Sequence, residues 1–475
     1  MSITTDDKQQ CTTRRLTRPL AHLSDRTSLT FTRKHTQLSL GIRPDPRAKL
    51  RNNISVAIGY IELSNVADIA ANVYNSLPIP YIIKAVMFLG GTVCTGMLCV
   101  IIRDAFLSWQ NLRGLAAERK SLLASLASLQ CPESGHDTAL KRTLKCFLQI
   151  NRQDAQAELI YRFGMECVVA IGSLLVGVGT YMAMFGEDPY LFETSNLLTG
   201  YLGNSPFALC GVVNLVWAFA TLSHLKHRHH RHTSAGRVRD HRIQAMLRNR
   251  ARYIRLHGIL NGGPGIVSGA MSLATATQWW AYVILFPCIF TSVIANWLWR
   301  KKIGYDRPFF HQNNTTAGTV APTTEDEIIR ALEEVDDCRR QVATMRLVSK
   351  TIGFRPLLEF ILHINLFEEF CLRLARDGVL RETFLPLKEK TERVTLDVYG
   401  LFDPALNDDI KERLLKVARK TVSEEAERGL EHRERWLLEV LGCYMALGEQ
   451  DKDVEKDDPS DNTRNGSTDC LLPWR

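Results

Sequence analysis

The stretch whose reading decides the fold is Gly186–His257. It begins GEDPYLFETSNLLTGYLGNS (186–205), which has Glu187, Asp188 and Glu193 but no Lys or Arg. It continues as the uncharged PFALCGVVNLVWAFATLS (206–223). It then turns abruptly into HLKHRHHRHTSAGRVRDHRIQAMLRNRARYIRLH (224–257), with ten Lys/Arg. An apolar helix with acid on one side and base on the other is the pattern of a membrane crossing whose basic end faces the cytosol.

Working outward, four further segments have the composition of spans: 81–102, 163–185, 259–277 and 279–299, the fourth in chain order (259–277) being rich in small residues. Arg103 and Asp104 stop the first, and Arg300, Lys301 and Lys302 stop the last, where Trp279, Trp280, Trp297 and Trp299 stand as interfacial anchors. A hairpin of the last two spans returns the chain to the basic side. The loop 103–162, with nine Lys/Arg, belongs to that side as well. Alternation then places the N-terminus outside and the C-terminal part inside. Residues 1–51 carry eleven Lys/Arg and oppose this, but 52–80 carry none. A sixth crossing at 54–74 would reconcile them, at the cost of burying Glu62, Asn65, Asp68 and Asn72. On the five-span reading the sequon at Asn53 is lumenal, while those at Asn314 and Asn465 are not.

The expected fold class is therefore all-α: a polytopic membrane protein with about five transmembrane helices and a cytosolic helical domain. Its parts are a disordered basic tail (1–52), with a mitochondrial presequence as the alternative reading, a membrane region (53–302), a linker (303–322), the helical domain (323–448) and a disordered acidic tail (449–475). Charge divides accordingly. Residues 1–299 hold 31 Lys/Arg against 17 Asp/Glu, and 300–475 hold 28 against 34. Because the basic excess lies in loops between spans, anionic lipid head groups near Lys226, Arg228 and Arg231 are the expected contact, and nucleic acid is not.

Within the cytosolic parts, Leu112, Leu115, Leu122, Leu126 and Leu129 give 111–130 an amphipathic helical spacing. Thr323 or Thr324 can cap a helix opening with Glu325, Asp326 and Glu327. In that helix Ile328, Ala331, Val335, Cys338, Val342 and Met345 form a stripe suited to packing inside a helical domain. PLLEFILHINLFEEFCLRLA (356–375) reads as a core helix, and 407–447 as a long helix that Gly429 can divide.

Candidate chemistry is sparse. Seven histidines, His224, His227, His229, His230, His232, His241 and His257, cluster in one loop, but Lys226, Arg228 and Arg231 interleave with them and repel a divalent cation. The twelve cysteines are scattered without CxxC spacing and suit apolar packing. Gly262-Gly263-Pro264-Gly265 is expected to loosen or break its helix, as in transporter sites. Gly258, Gly262, Gly265 and Gly269 have the spacing of close helix contacts. Lys84 and Glu166 lie near span ends and can snorkel; Asn214, Thr180, Gln278 and Asn296 are the other polar positions. No catalytic, cofactor-binding or metal-ligating residue is assigned.

The stretch Leu197–Pro206, LLTGYLGNSP, with the apolar span after it, resembles uncharacterised multi-pass integral membrane proteins of filamentous fungi. That family carries no assigned activity, so the resemblance implies the membrane class alone. The expected role is non-enzymatic: a membrane scaffold or organiser whose cytosolic helices at 323–448 bind a protein partner. The alternative is a transporter or channel for a small neutral or hydrophobic solute, built on the Gly262–Gly265 break. A plasma membrane or endomembrane is favoured, with the mitochondrial inner membrane as the alternative.

Overall fold

In a computed structural model of the chain, the described residues are 28–36, 39–44, 49–51, 63–64, 66–74, 78–129, 135–235, 241–310, 324–347, 352–385, 393–402 and 406–457. Side chains at 28–44, 135–138, 224–235, 393, 395 and 449–457 fall outside that description. So do the sequons at Asn53, Asn314 and Asn465, the linker 313–322 and the tail beyond Asp457.

The membrane part contains strands β1 (Ser28–Thr36), β2 (Ser39–Pro44) and β3 (Lys49–Leu50), then helices α1 (Ile69–Val73), α2 (Tyr81–Ser128) and α3 (Gly135–Gln156). A π-helical turn, Ala157–Gly164, joins α3 to α4 (Met165–Ala183). After α5 (Pro189–Asn196) comes a second π turn, Leu197–Leu202, and then α6 (Asn204–Ala235), α7 (His241–Ala274) and α8 (Ala281–Leu298). A third π turn, Trp299–Ile303, leads to β4 (Arg307–Pro308). The remainder is α9 (Glu325–Leu347), α10 (Phe354–His363), α11 (Phe367–Leu374), α12 (Gly378–Phe384), β5 (Arg393–Asp397), a 3-10 turn Tyr399–Phe402, and α13 (Asp408–Asp457).

Four helical stretches are long and apolar enough to cross a membrane: Tyr81–Ser128, Ala139–Ala183, Pro189–Ser223 and Ala281–Ile303. Their outward faces carry Phe88, Leu89, Ile171, Val216, Phe219 and Phe290, all exposed, which is a stable arrangement only against lipid. The expected fourth span, 259–277, is instead the second half of α7, one unbroken helix from the basic segment through Pro264 to Ala274. It lacks the apolar composition of the other four. What holds it is close packing on α6: a Cβ on Gly211 would strike the carbonyl of Gly265, and one on Gly262 would lie 2.6 Å from the Ala218 Cβ. The expected break at Gly262–Gly265 is absent because α6 supports the helix there. The lumenal loop expected at 186–205 is also shorter. Asp188 caps α5 through Tyr190 N, Pro189 occupies the first turn, and the chain descends at once along α4.

The larger departure concerns the N-terminus. Asn111 Nδ2 of α2 donates to Arg51 O (2.9 Å), Cys94 Sγ lies 3.6 Å from Ser64 O, and Gly90 abuts the carbonyl of Ala67. Ile79 reaches Gly186 beyond the end of α4. The described parts of 51–79 therefore run antiparallel to α2. From Asn111 to Gly90, α2 rises about 31 Å at 1.5 Å per residue, the thickness of a hydrocarbon core. The described parts of this segment thus line the bundle from the end beside Asn111 to the end beside Gly186. Of the polar residues that argued against burying it, Asp68 and Asn72 turn inward and find partners, while Glu62 and Asn65 lie outside the described residues.

The described N-terminal strands and the C-terminal helices accordingly meet at one end of the bundle, the end that carries the basic segments, called the inner end here. The outer end has the Lys84–Glu187 pair at 3.0 Å. At the inner end β3 pairs with β4 (Leu50 opposite Arg307), and β1 lies between β2 and β5, with Thr30 opposite Thr395. Residues 28–36, 39–44 and 49–50 thus form strands within a tail expected to be disordered. Lys49 Nζ donates to Asn365 O (2.9 Å), and Arg51 Nη2 to Glu368 Oε1 (2.7 Å).

The inner helical layer is built on α13, against which α9, α10 and α11 pack. The capping box at its start forms, with Thr324 Oγ1 accepting from Glu327 N and Thr324 N donating to Glu327 Oε2, both at 3.3 Å. Ile328, Val335, Cys338 and Val342 are buried against α13. The stretch 356–375 is two helices rather than one, because Asn365 adopts φ 62°. Gly429 does not divide α13; Leu366 packs on it. The amphipathic stretch 111–130 is the inner extension of α2. Through it Leu122, with Leu144, Phe147 and Ile150 of α3, joins one core with Phe360, Phe370 and Leu441. The inner layer shares its apolar core with the inner parts of α2, α3 and α7.

Candidate functional site

The polar interior of the bundle is where the sequence reading and the structure differ most. In the outer half, five elements converge on Asp68, which is fully buried. Tyr282 OH, at the start of α8, donates to Asp68 Oδ1 (2.9 Å), and Asn72 Nδ2 of α1 donates to Asp68 Oδ2 (2.9 Å). Thr199 Oγ1, in the second π turn, lies 3.1 Å from Asn72 Oδ1. Asn204, at the start of α6, donates to Thr275 Oγ1 (3.1 Å) beyond α7. Among the described residues no Lys, Arg or His forms an ion pair with Asp68. An ionised carboxylate there is therefore held by neutral donors alone, in surroundings of low dielectric. Two further buried oxygens nearby, Ser64 Oγ and Asn204 Oδ1, have no hydrogen-bond partner.

Local sequence explains the assembly. Among the described residues of 63–74, 63–64 form a 3-10 turn, 66–68 a turn and 69–73 the short helix α1. The π turn at 197–202 inserts extra width into the helix descending from α5, which brings Thr199 round to Asn72. Such insertions are rare and frequently mark functional positions.

A second cluster lies about 20 Å inward along α4, counting thirteen residues from Gly179 to Glu166. Arg162 is gripped by Asp104 of α2, with Nε to Oδ2 at 2.8 Å and Nη2 to Oδ1 at 2.9 Å. Its Nη1 donates to Glu158 Oε1 at 3.1 Å. Ser108 Oγ donates to Glu158 Oε2 at 2.7 Å. Glu166 completes the group, and all four charged side chains are buried. The first π turn places Glu158 and Arg162 side by side. Between the clusters lies an apolar plug of Cys94, Ile101, Val169, Val176, Phe207 and Cys210. A small cleft with ≈ 20 Å³ free reaches the second cluster from the inner end, lined by Leu50, Asp154, Glu158, Tyr161, Arg162 and Trp299. That is room for a water molecule.

The residues singled out from sequence fall as follows. Lys84 pairs with Glu187 at the outer rim, as a snorkelling lysine does. Glu166 does not snorkel; it is drawn inside by Asp104 and Arg162. Thr180 bonds its own helix at Val176 O, Gln278 accepts from Trp280, Asn214 packs on Gly265 and Asn296 is half-buried. His257 is buried beside Trp299 and Tyr161, and His241 is exposed. The other five histidines, with Lys226, Arg228 and Arg231, belong to the end of α6, whose side chains lie outside the described residues. Among the described residues no group of three or more His, Cys, Asp or Glu has a metal-holding arrangement. Asp68, Tyr282, Asp104 and Arg162 were not singled out as site residues, and only their pairing across the fold reveals them. Compared with family models, with curated proteins and with solved structures, the chain matches none.

Proposed function

We propose that this chain is a non-enzymatic integral membrane protein that moves protons, alone or in exchange for a small polar solute, through the interior of its bundle. The observation that carries the reading is Asp68, a fully buried carboxyl with only neutral hydrogen-bond partners, on a crossing segment whose helix is interrupted. Ionisable groups inside a membrane are costly, and they mark ion or proton pathways. Interrupted crossings are where transporters gather their sites. The second cluster and the intervening apolar plug fit the reading, since two polar stations separated by a dry segment are what an alternating path needs. A plasma membrane or endomembrane location, with the inner end cytosolic, accords with the basic loops.

The test is a reconstitution. Full-length protein in liposomes containing a pH-sensitive dye is subjected to a potassium diffusion potential, and the initial rate of internal pH change is measured. Wild type should exceed protein-free liposomes, and Asp68→Asn should return the rate to that background. A wild type no faster than empty liposomes, or an Asp68→Asn variant as fast as wild type, defeats the proposal.

The scaffold reading retains one supporting observation: the inner layer shares its core with α2 and α3, which makes it a rigid platform. Because of that shared core, residues 323–448 excised alone would bare the face that covers Leu122 and Phe147. A partner search on this reading therefore requires the full chain.

A further inference from the structure

The second cluster does not balance its charge. Asp104, Glu158 and Glu166 face one guanidinium, so with every group ionised the site carries two negative charges in excess. Arg162 is already committed. Its Nε and Nη2 hold Asp104 at 2.8 and 2.9 Å, its Nη1 holds Glu158 at 3.1 Å, and Glu166 is left with Nε at 3.9 Å. Glu166 is only 5% exposed, and neither carboxyl oxygen has a hydrogen-bond donor among the described residues. Yet Glu166 Oε1 and Asp104 Oδ2 approach the same Arg162 Nε, at 3.9 and 2.8 Å, which makes the two carboxyls neighbours. Two carboxyl groups crowded on one guanidinium nitrogen, away from water, do not both ionise. One proton between them turns the repulsive pair into an O–H···O hydrogen bond, and it gives Glu166 the partner it otherwise lacks.

We infer that Glu166 and Asp104 form a proton-binding site, holding one exchangeable proton at neutral pH, which water reaches from the inner end through the cleft at Asp154 and Glu158. The charged groups facing the pair are Arg162 and Glu158 from the first π turn. Across the cleft stand Asp154 of α3 and Arg307 of β4, with Glu118 of α2 on Arg307's far side. That neighbouring trio is itself one negative charge in excess, so it adds to the demand for a proton rather than meeting it. Glu158, which lines the cleft and touches Arg162, connects the water-sized space to the pair. The site does not depend on Asp68 or on transport, and it holds even for a protein that moves nothing.

Infrared spectroscopy of the full-length protein in lipid nanodiscs reads it directly. A protonated carboxyl gives a C=O band that shifts in D₂O, whereas a carboxylate does not. Spectra are recorded from acid to alkaline pH for wild type, Glu166→Gln, Asp104→Asn and, as a control, Asp68→Asn. At neutral pH wild type and Asp68→Asn should share a carboxyl band that is lost in Glu166→Gln and lost equally in Asp104→Asn, since either change removes the shared proton. Loss of one band by either of two substitutions is not what a packing role produces, and having two variants keeps the test open if one fails to fold. Wild-type and Glu166→Gln spectra that superimpose across the range would overturn the inference. So would a wild type that lacks the band and is instead stabilised by added Na⁺ or Li⁺, which would make the occupant a metal cation.

Discussion

Arg307 offers the sharpest test of how the membrane bundle and the inner layer are joined. It is 4% exposed, and its guanidinium meets Glu118 twice, at 2.6 and 2.9 Å, and Asp154 at 2.8 Å. Glu118, 2% exposed, also accepts from Phe310 N (2.8 Å) and Asn151 Nδ2 (2.7 Å). Arg307→Met keeps the apolar stem and removes the charge, stranding two carboxylates in the interior. Breaking a buried pair from one side costs about 3–5 kcal/mol. At about 1.4 kcal/mol per tenfold, the population with segment 303–310 undocked should rise roughly 10²- to 10³-fold. The Phe310 amide, which donates to Glu118, reports that opening. Its hydrogen exchange, followed by mass spectrometry on the full-length protein in detergent, should accelerate by this factor. The rescue is the stronger part of the argument. Glu118→Gln keeps an oxygen for Phe310 N but removes the more deeply buried of the two stranded charges, so in the Arg307→Met background it should recover about half of the loss. An Arg307→Met protein within about 1 kcal/mol of wild type, or one that Glu118→Gln worsens, would refute the claim that charge compensation holds the joint.

Three further outcomes follow from the same structure. Tags at the N- and C-termini should be accessible from the same side of the membrane, and Asn53 should carry no glycan; a glycosylated Asn53 would restore the five-span arrangement. Gly211→Ala, which drives a methyl into the Gly265 carbonyl, should cost about 1–3 kcal/mol of thermal stability in detergent, whereas Gly263→Ala, which meets open space, should be neutral or gain up to about 1 kcal/mol. In the inner layer, hydrogen bonds from the His363 ring to Cys338 and to Glu334 raise its pKa from 6.5 to about 9, while His363 above all lowers that of Glu334 from 4.5 to about 2. The imidazolium's contribution is therefore complete below pH 6.5 and lost as pH rises through about 9; the carboxylate's is complete above pH 4.5 and lost as pH falls through about 2. The α9–α10 contact should be tightest between these limits, at pH 4.5–6.5. His363 is 48% exposed, so the effect is small, and His363→Gln should remove the alkaline limb of a stability-against-pH curve and shrink the acid limb, where Arg433 still holds Glu334 down.

What the sequence conveys is whatever depends on neighbours. Apolar runs announce the spans at 81–102 and 279–299, Thr324 and Glu327 announce a capped helix, and the 328–342 stripe announces its buried face. What it conceals depends on partners far along the chain. Asp68 looks too costly to bury until Tyr282, 214 residues later, is placed beside it. Glu166 looks like a rim residue until Asp104 arrives from α2. The Gly262–Pro264 run looks like a break until α6 is seen to brace it. In each case the local penalty was judged correctly, and the compensation came from elsewhere in the fold.

The polar crossing at 51–79 also bears on how the protein is made. Asp68 alone adds about 3 kcal/mol to the cost of inserting a helix from the translocon. The segment cannot enter lipid on its own merits as it leaves the ribosome. Its hydroxyl partner on α8 is synthesised 214 residues later, about 10–40 s at 5–20 residues per second. The N-terminal pass must therefore be threaded late, between helices already in place. A chain stopped short of Tyr282 should leave that segment uninserted, and this protein would reach its topology by assembly, with its first crossing completed last.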